Sequence, residues 1–156
     1  MKSLFKANFL VALTCVITLG SCSQEESDPP KTDAEIIGSG IAWKLSTATS
    51  NGISVVSFID ACVQDNLITF YFEASGNKGV VDEGPTKCGD SDSQLQDFGW
   101  NYDESSKILT VDTDIIEMPG AEGGLVVERV SSSELVISQN IRLLGTTQKA
   151  ILTLVH

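Results

Sequence analysis

Histidine is almost missing from this 156-residue chain: the single one is His156, the last residue. A Ser-His-Asp or Cys-His arrangement would have to be built on a chain end of the kind that frays. There is no Gly-x-x-x-x-Gly-Lys loop and no His-Glu-x-x-His, so the carriers of nucleotide-phosphate binding and of zinc hydrolysis are lacking too. Basic residues are also scarce, with 10 Lys and Arg against 21 Asp and Glu and a formal net charge of −11. They form no stripe, and such a surface repels nucleic acid and anionic headgroups, so no nucleic-acid partner is expected. The acids are scattered rather than blocked, which is the pattern of a solvated surface. Asp90-Ser91-Asp92 with Asp97 beyond hints at a calcium loop. Gln94-Leu95 then stands where an EF-hand wants a third ligand and glycine, and a polar loop is the simpler reading. The expectation is a protein that is not an enzyme and holds no metal or cofactor.

Long apolar runs are equally few. Residues 7–20 form one, preceded by Lys2 and Lys6 and ended by Leu19-Gly20-Ser21-Cys22. It is too short to cross a ~30 Å hydrocarbon core, which takes about 20 apolar residues. The order of charge, apolar run and small residues is that of a signal peptide. The tetrad resembles the lipobox of bacterial lipoproteins, in which the cysteine thiol becomes the thioether of a diacylglycerol. The chain is accordingly divided into a signal peptide (1–21), a disordered acidic tether after lipidated Cys22 (22–36) and one domain (37–156), anchored to a lipid bilayer. Residues 1–21 carry two lysines and no acids, so the remainder holds 8 basic and 21 acidic residues, a net charge of −13. Glu25 and Glu26 after the anchor resemble the short acidic export patch of surface lipoproteins in Bacteroidota. The expected location is therefore the outer membrane, exposed at the cell surface, with the periplasmic face as the alternative.

With Cys15 in the leader and Cys22 lipidated, Cys62 and Cys88 remain as an even pair in an oxidising compartment. A disulfide is the simplest reading, because two cysteines without a nearby histidine make no zinc set. On the chain-entropy model it is worth about 3–4 kcal/mol.

No helical stripe of useful length appears. Short β segments are expected at 41–49, 67–74, 78–82, 96–103, 108–113, 125–130, 135–143 and 149–155, and eight such runs argue for a sandwich or barrel. Asn51-Gly52, Gly76-Asn77, the run 103–106 and the serines 131–133 supply the turns. A short helical turn carrying Cys62 is expected within 57–66. Glu122-Gly123-Gly124 reads as a turn or bulge entering the strand at Leu125. Alternation puts Ile68, Phe70 and Phe72 on one face, Phe98, Trp100 and Tyr102 on another, and Leu135, Ile137, Ile141 and Leu143 on a third, interrupted by Gln139.

Trp43-Lys44-Leu45, Cys62-x-x-Asp65-Asn66 leading into Ile68-Thr69-Phe70, Cys88 after a Gly-rich hairpin, and Gly99-Trp100 occur in an order that resembles the lipocalin-like domain of Bacteroidota lipoproteins, over roughly residues 37–156. The resemblance implies an all-β, eight-stranded antiparallel up-and-down barrel, strapped by a disulfide from the segment before the second strand to the loop after the third. It departs from the lipocalin Gly-x-Trp pattern, since Gly40 is one place too early for Trp43. It also implies a binding protein for one small apolar or amphipathic ligand, with Trp43, Phe70, Phe72, Phe98 and Trp100 as pocket or core aromatics. The domain is short for a roomy calyx, and the alternative is a packed barrel that meets an envelope protein or glycan through its surface.

Overall fold

The computed structural model describes residues 29–89, 93–112, 121–143 and 145–156, and for 121–123 and 143 the backbone only. Cys22, the leader, most of the tether and Asp90-Ser91-Asp92 lie outside the described residues.

The chain forms a closed, antiparallel, up-and-down barrel of eight strands. These are β1 (Ser39–Ser50), β3 (Leu67–Tyr71), β4 (Lys78–Asp82), β5 (Leu95–Asp103), β6 (Ile108–Val111), β7 (Ala121–Val130), β8 (Glu134–Leu143) and β9 (Thr146–Val155). A two-residue β2 (Ile53–Ser54) folds back on the end of β1. Neighbours in sequence are neighbours in the sheet, which is what short polar turns between alternating strands dictate. Closure falls to β1, twelve residues long. Its first half pairs with β3, as in Trp43 opposite Ile68, and its second half pairs with β9, as in Ala48 opposite Leu152.

A barrel needs bent strands, and the register shifts supply the bends. In β1 one shift falls between Ser39 and Ala42, where Gly40 takes φ +76°. The shift puts one extra β1 residue between the pairings of Ser39 and Ala42, three steps on β1 against two on β3. In β7 a second shift lies between Glu122 and Val126, so the Glu122-Gly123-Gly124 stretch is a bulge within a strand that begins at Ala121.

The turns follow their chemistry. Asn51 and Gly52 have φ +49° and +77°, the left-handed pair of a tight hairpin. Asp103 Oδ1 accepts from Ser105 N (2.8 Å), Ser105 Oγ (2.6 Å) and Ser106 N (3.1 Å). These bonds, that of the Ser105 hydroxyl foremost, pull the Asp103 carboxyl down to about 2.

Among the described residues two short α-helices punctuate the barrel, with a 3-10 turn at Val56–Phe58 between them. In α2 (Ala61–Gln64) Cys62 sits where it is bonded to Cys88. The other, α1 (Asp33–Ile37), takes residues 33–36 of the stretch that the composition assigns to the tether, together with Ile37. Thr32 caps it through a reciprocal bond with Glu35, and Ala34 and Ile37 bury against the barrel. Two apolar side chains and a capping box are enough to order this turn, so the folded body begins before residue 37.

Phe72 corrects the alternation argument. Strand β3 stops at Tyr71, and the Phe72 amide donates to Gly38 O (3.0 Å) instead of continuing the ladder with β4. Its side chain is 49 % exposed, whereas Phe70, two residues earlier, is 1 % exposed.

Candidate functional site

Two places on this barrel could hold a ligand: its interior and the outer face of β3–β6.

The described inward side chains bury one another in the interior. Trp43, Val81 and Leu109 are fully buried, and Phe70, Phe98, Trp100, Leu125 and Ile137 nearly so. Phe70 meets Phe98 and Trp100 edge to face, with ring centroids 5.4 and 5.5 Å apart. Phe98 lies over Gly79, where a Cβ would collide with its ring. The indole N–H groups are spent on backbone: Trp43 donates to Ile37 O (3.2 Å) and Trp100 to Lys78 O (2.8 Å). His156 stacks on Trp43 at 3.7 Å.

One end of the barrel is plugged by α1. Asp33 Oδ2 accepts from Tyr102 Oη (3.1 Å) and Lys107 Nζ (3.0 Å), and Glu104 Oε1 accepts from Ala34 N (3.2 Å). Burial, followed by the bond to Asp33, pushes the Tyr102 phenol up to about 12. The Asp33 carboxylate holds the Lys107 ammonium above its ordinary value.

The other end is roofed by the connection between β1 and β3, whose Val55, Val56 and Ile59 pack on the core. Gln64 Nε2 ties this roof together through Val56 O (3.1 Å) and Ile59 O (2.7 Å). The disulfide Cys62–Cys88 joins it to the β4–β5 loop. The Asn66 amide, with its nitrogen toward the two acceptors, donates to Cys62 O (2.8 Å) and Glu83 O (3.2 Å). Beneath, Glu83 is 5 % exposed; its Oε1 accepts from Gln96 Nε2 (2.8 Å), while Oε2 is buried without a partner among the described residues.

A hollow lies on the outside. Tyr71, Lys78, Gly99 and Asp112 stand in one row across β3, β4, β5 and the end of β6, all pointing away from the core; Val80 and Asp97 form the adjoining row. An outward glycine leaves a gap in such a row. The result is an open depression of about 630 Å³, floored by Gly79 and Gly99 and walled by Tyr71, Lys78, Asp97 and Asp112, with Glu73 at the rim. Asp112 Oδ1 accepts from Gly99 N (2.6 Å). Its Oδ2 faces the gap, 2.8 Å from where a Gly99 Cβ would stand. Tyr71 is 40 % exposed. Lys78 leans toward Glu73 at 4.0 Å, an exposed pair of little energetic weight. Asp97 has no hydrogen bond or ion pair among the described residues.

Of the five aromatics expected to line a pocket or core, Trp43, Phe70, Phe98 and Trp100 come together inside, and Phe72 does not. Phe98 alone also touches the hollow, through the floor. Tyr71, Lys78, Gly99 and Asp112 were not foreseen as a group. The legible signal was the glycine between Phe98 and Trp100, at an outward position of a strand where an outward side chain is the rule. Among the described residues no three His, Cys, Asp or Glu side chains gather as a metal site. The chain matches no family model and no curated protein.

Proposed function

We propose that this protein is a lipocalin-like, non-enzymatic binding module, held to the outer membrane by acylated Cys22 and working through the outside of its barrel, at the cell surface. The observation that carries the reading is the distribution of space: the described inward side chains are buried, with Phe70 edge to face against Phe98 and Trp100 on the inner wall of β3–β5, while an open depression lies over Gly99 on the outer face. Of the two readings that the sequence permits, a packed barrel with a working surface fits this distribution better than a calyx for an apolar molecule. The Leu19-Gly20-Ser21-Cys22 tetrad and the acidic tether support the anchor and the address. A rigid module suits that position, because the Cys62–Cys88 strap and the α1 plug tie down both ends of the barrel.

Native mass spectrometry of the full chain taken from its own envelope tests this. The expected mass is that of the disulfide-bonded chain from Cys22 onward, carrying acyl groups and nothing else. A reproducible apolar guest in the folded protein would overturn the packed-barrel reading, and an unacylated mature chain would overturn the anchor.

A further inference from the structure

Size narrows what the outer hollow can take. A face that docks a protein uses about 20–30 residues a side, whereas nine of the described residues line this hollow. Its volume of about 630 Å³ falls in the range of small-ligand sites, roughly 300–1,000 Å³. Chemistry narrows it further. The rim carries Glu73, Asp97 and Asp112 against Lys78, so anionic guests are repelled. An apolar guest would strip water from carboxylates and give nothing back. What remains is a neutral molecule rich in hydroxyl donors with at least one apolar face.

We infer that the hollow binds a neutral saccharide of about two sugar units, one ring lying on Tyr71 and the next seated over Gly99 between Asp97 and Asp112. This rests on the proposed surface-acting reading and names its ligand class. The spacing fits: strands lie about 4.8 Å apart, so Tyr71 and Asp112, three strands apart in one row, are separated by about 14 Å. The negative face of the Tyr71 ring attracts the weakly positive C–H face of a sugar. Asp97 offers both oxygens and Asp112 its Oδ2 to hydroxyl donors, and charged acceptors make the stronger hydrogen bonds. Lys78 supplies a donor for a ring or hydroxyl oxygen. Gly99 lets the ring approach the backbone floor, which a side chain at that outward position would block.

The test is saturation-transfer NMR on the full chain with four probes: cellobiose, lactose, digalacturonate and tetralysine. One of the two neutral disaccharides should bind with a dissociation constant on the order of 1 mM, as befits an open site that covers one face of its guest. Tyr71→Ala and Gly99→Val should each weaken it at least 10-fold, and Asp97→Ala should weaken it by a smaller factor. All three positions are outward, and an unchanged urea midpoint would certify the fold; Asp97→Ala, at an exposed side chain with no hydrogen bond or ion pair among the described residues, keeps the test sound if the Gly99 variant unfolds. Preference for digalacturonate or tetralysine would overturn the ligand class. Undiminished sugar binding in the three variants would overturn the site. Silence from all four probes would overturn the saccharide inference while leaving a guest-free, acylated mass, and hence the surface-acting reading, intact.

Discussion

Phe70 and Phe72 share a side by strand alternation, yet truncating them should have very different consequences. Phe70 is 1 % exposed and packs edge to face against Phe98 and Trp100. Phe70→Ala removes a fully buried ring from a place where the neighbouring rings, held by strands on both sides, cannot collapse into the gap. Such losses run to about 3–5 kcal/mol, the transfer and cavity contributions together. Phe72 is 49 % exposed, so Phe72→Ala forfeits only about half of a burial that is worth about 1.5–3 kcal/mol in full, or about 1 kcal/mol. The difference, about 3 kcal/mol, should be read from urea midpoints at unchanged m-value. In heat it corresponds to roughly 10 °C or more for a domain of this size. If Phe70 instead lined an open chamber, its removal would merely enlarge a space already present, and the two variants would fall within about 1 kcal/mol of each other. That outcome would refute both the packed interior and the termination of β3 at Tyr71.

Reducing the disulfide, whose cysteines are 26 residues apart, should lower stability by about 3–4 kcal/mol, seen as a drop in denaturation midpoint with dithiothreitol that a Cys62→Ala/Cys88→Ala chain no longer shows. Tyr102, raised in the fold from an ordinary value of 10 to about 12, stabilises fully below pH 10, and this contribution is lost as pH rises through 12. Tyr102→Phe should remove that alkaline step, measured as midpoint against pH, and should cost about 1 kcal/mol at neutral pH for the bond to Asp33. Asp103, lowered from 3.8 to about 2, acts in the opposite sense: its stabilisation is present above pH 4 and lost as pH falls toward 2. Asp103→Asn should flatten that acid limb, and an unchanged limb would remove the serine turn from the account of acid unfolding.

Much of the barrel is written in local pattern. Period-two alternation marks eight strands, and turn chemistry marks their ends; β4 runs over 78–82 as the alternation places it. Asn51-Gly52 needs only its own φ preferences to turn, and the bond between Cys62 and Cys88 is the one that the sequence reading expects for these two cysteines. These features depend on residues within one hydrogen bond or one strand of each other, or on covalent chemistry.

What tertiary structure decided is nonlocal. Whether Phe72 faces inward depends on where β4 and α1 leave β3 without a partner, which no alternation within 67–74 contains. The helix α1 is set by the buried landing site for Ala34 and Ile37, so a segment of tether composition becomes a plug. The outer hollow joins Tyr71, Lys78, Gly99 and Asp112 across four strands, and only the hydrogen-bond register places them in one row. A slip of one residue in any of those pairings would turn that strand's members of the row inward. Register is fixed by the summed packing of the whole barrel. The sequence by itself therefore determined which segments are strands and how they are punctuated, and the closed sheet alone decided which outward residues meet.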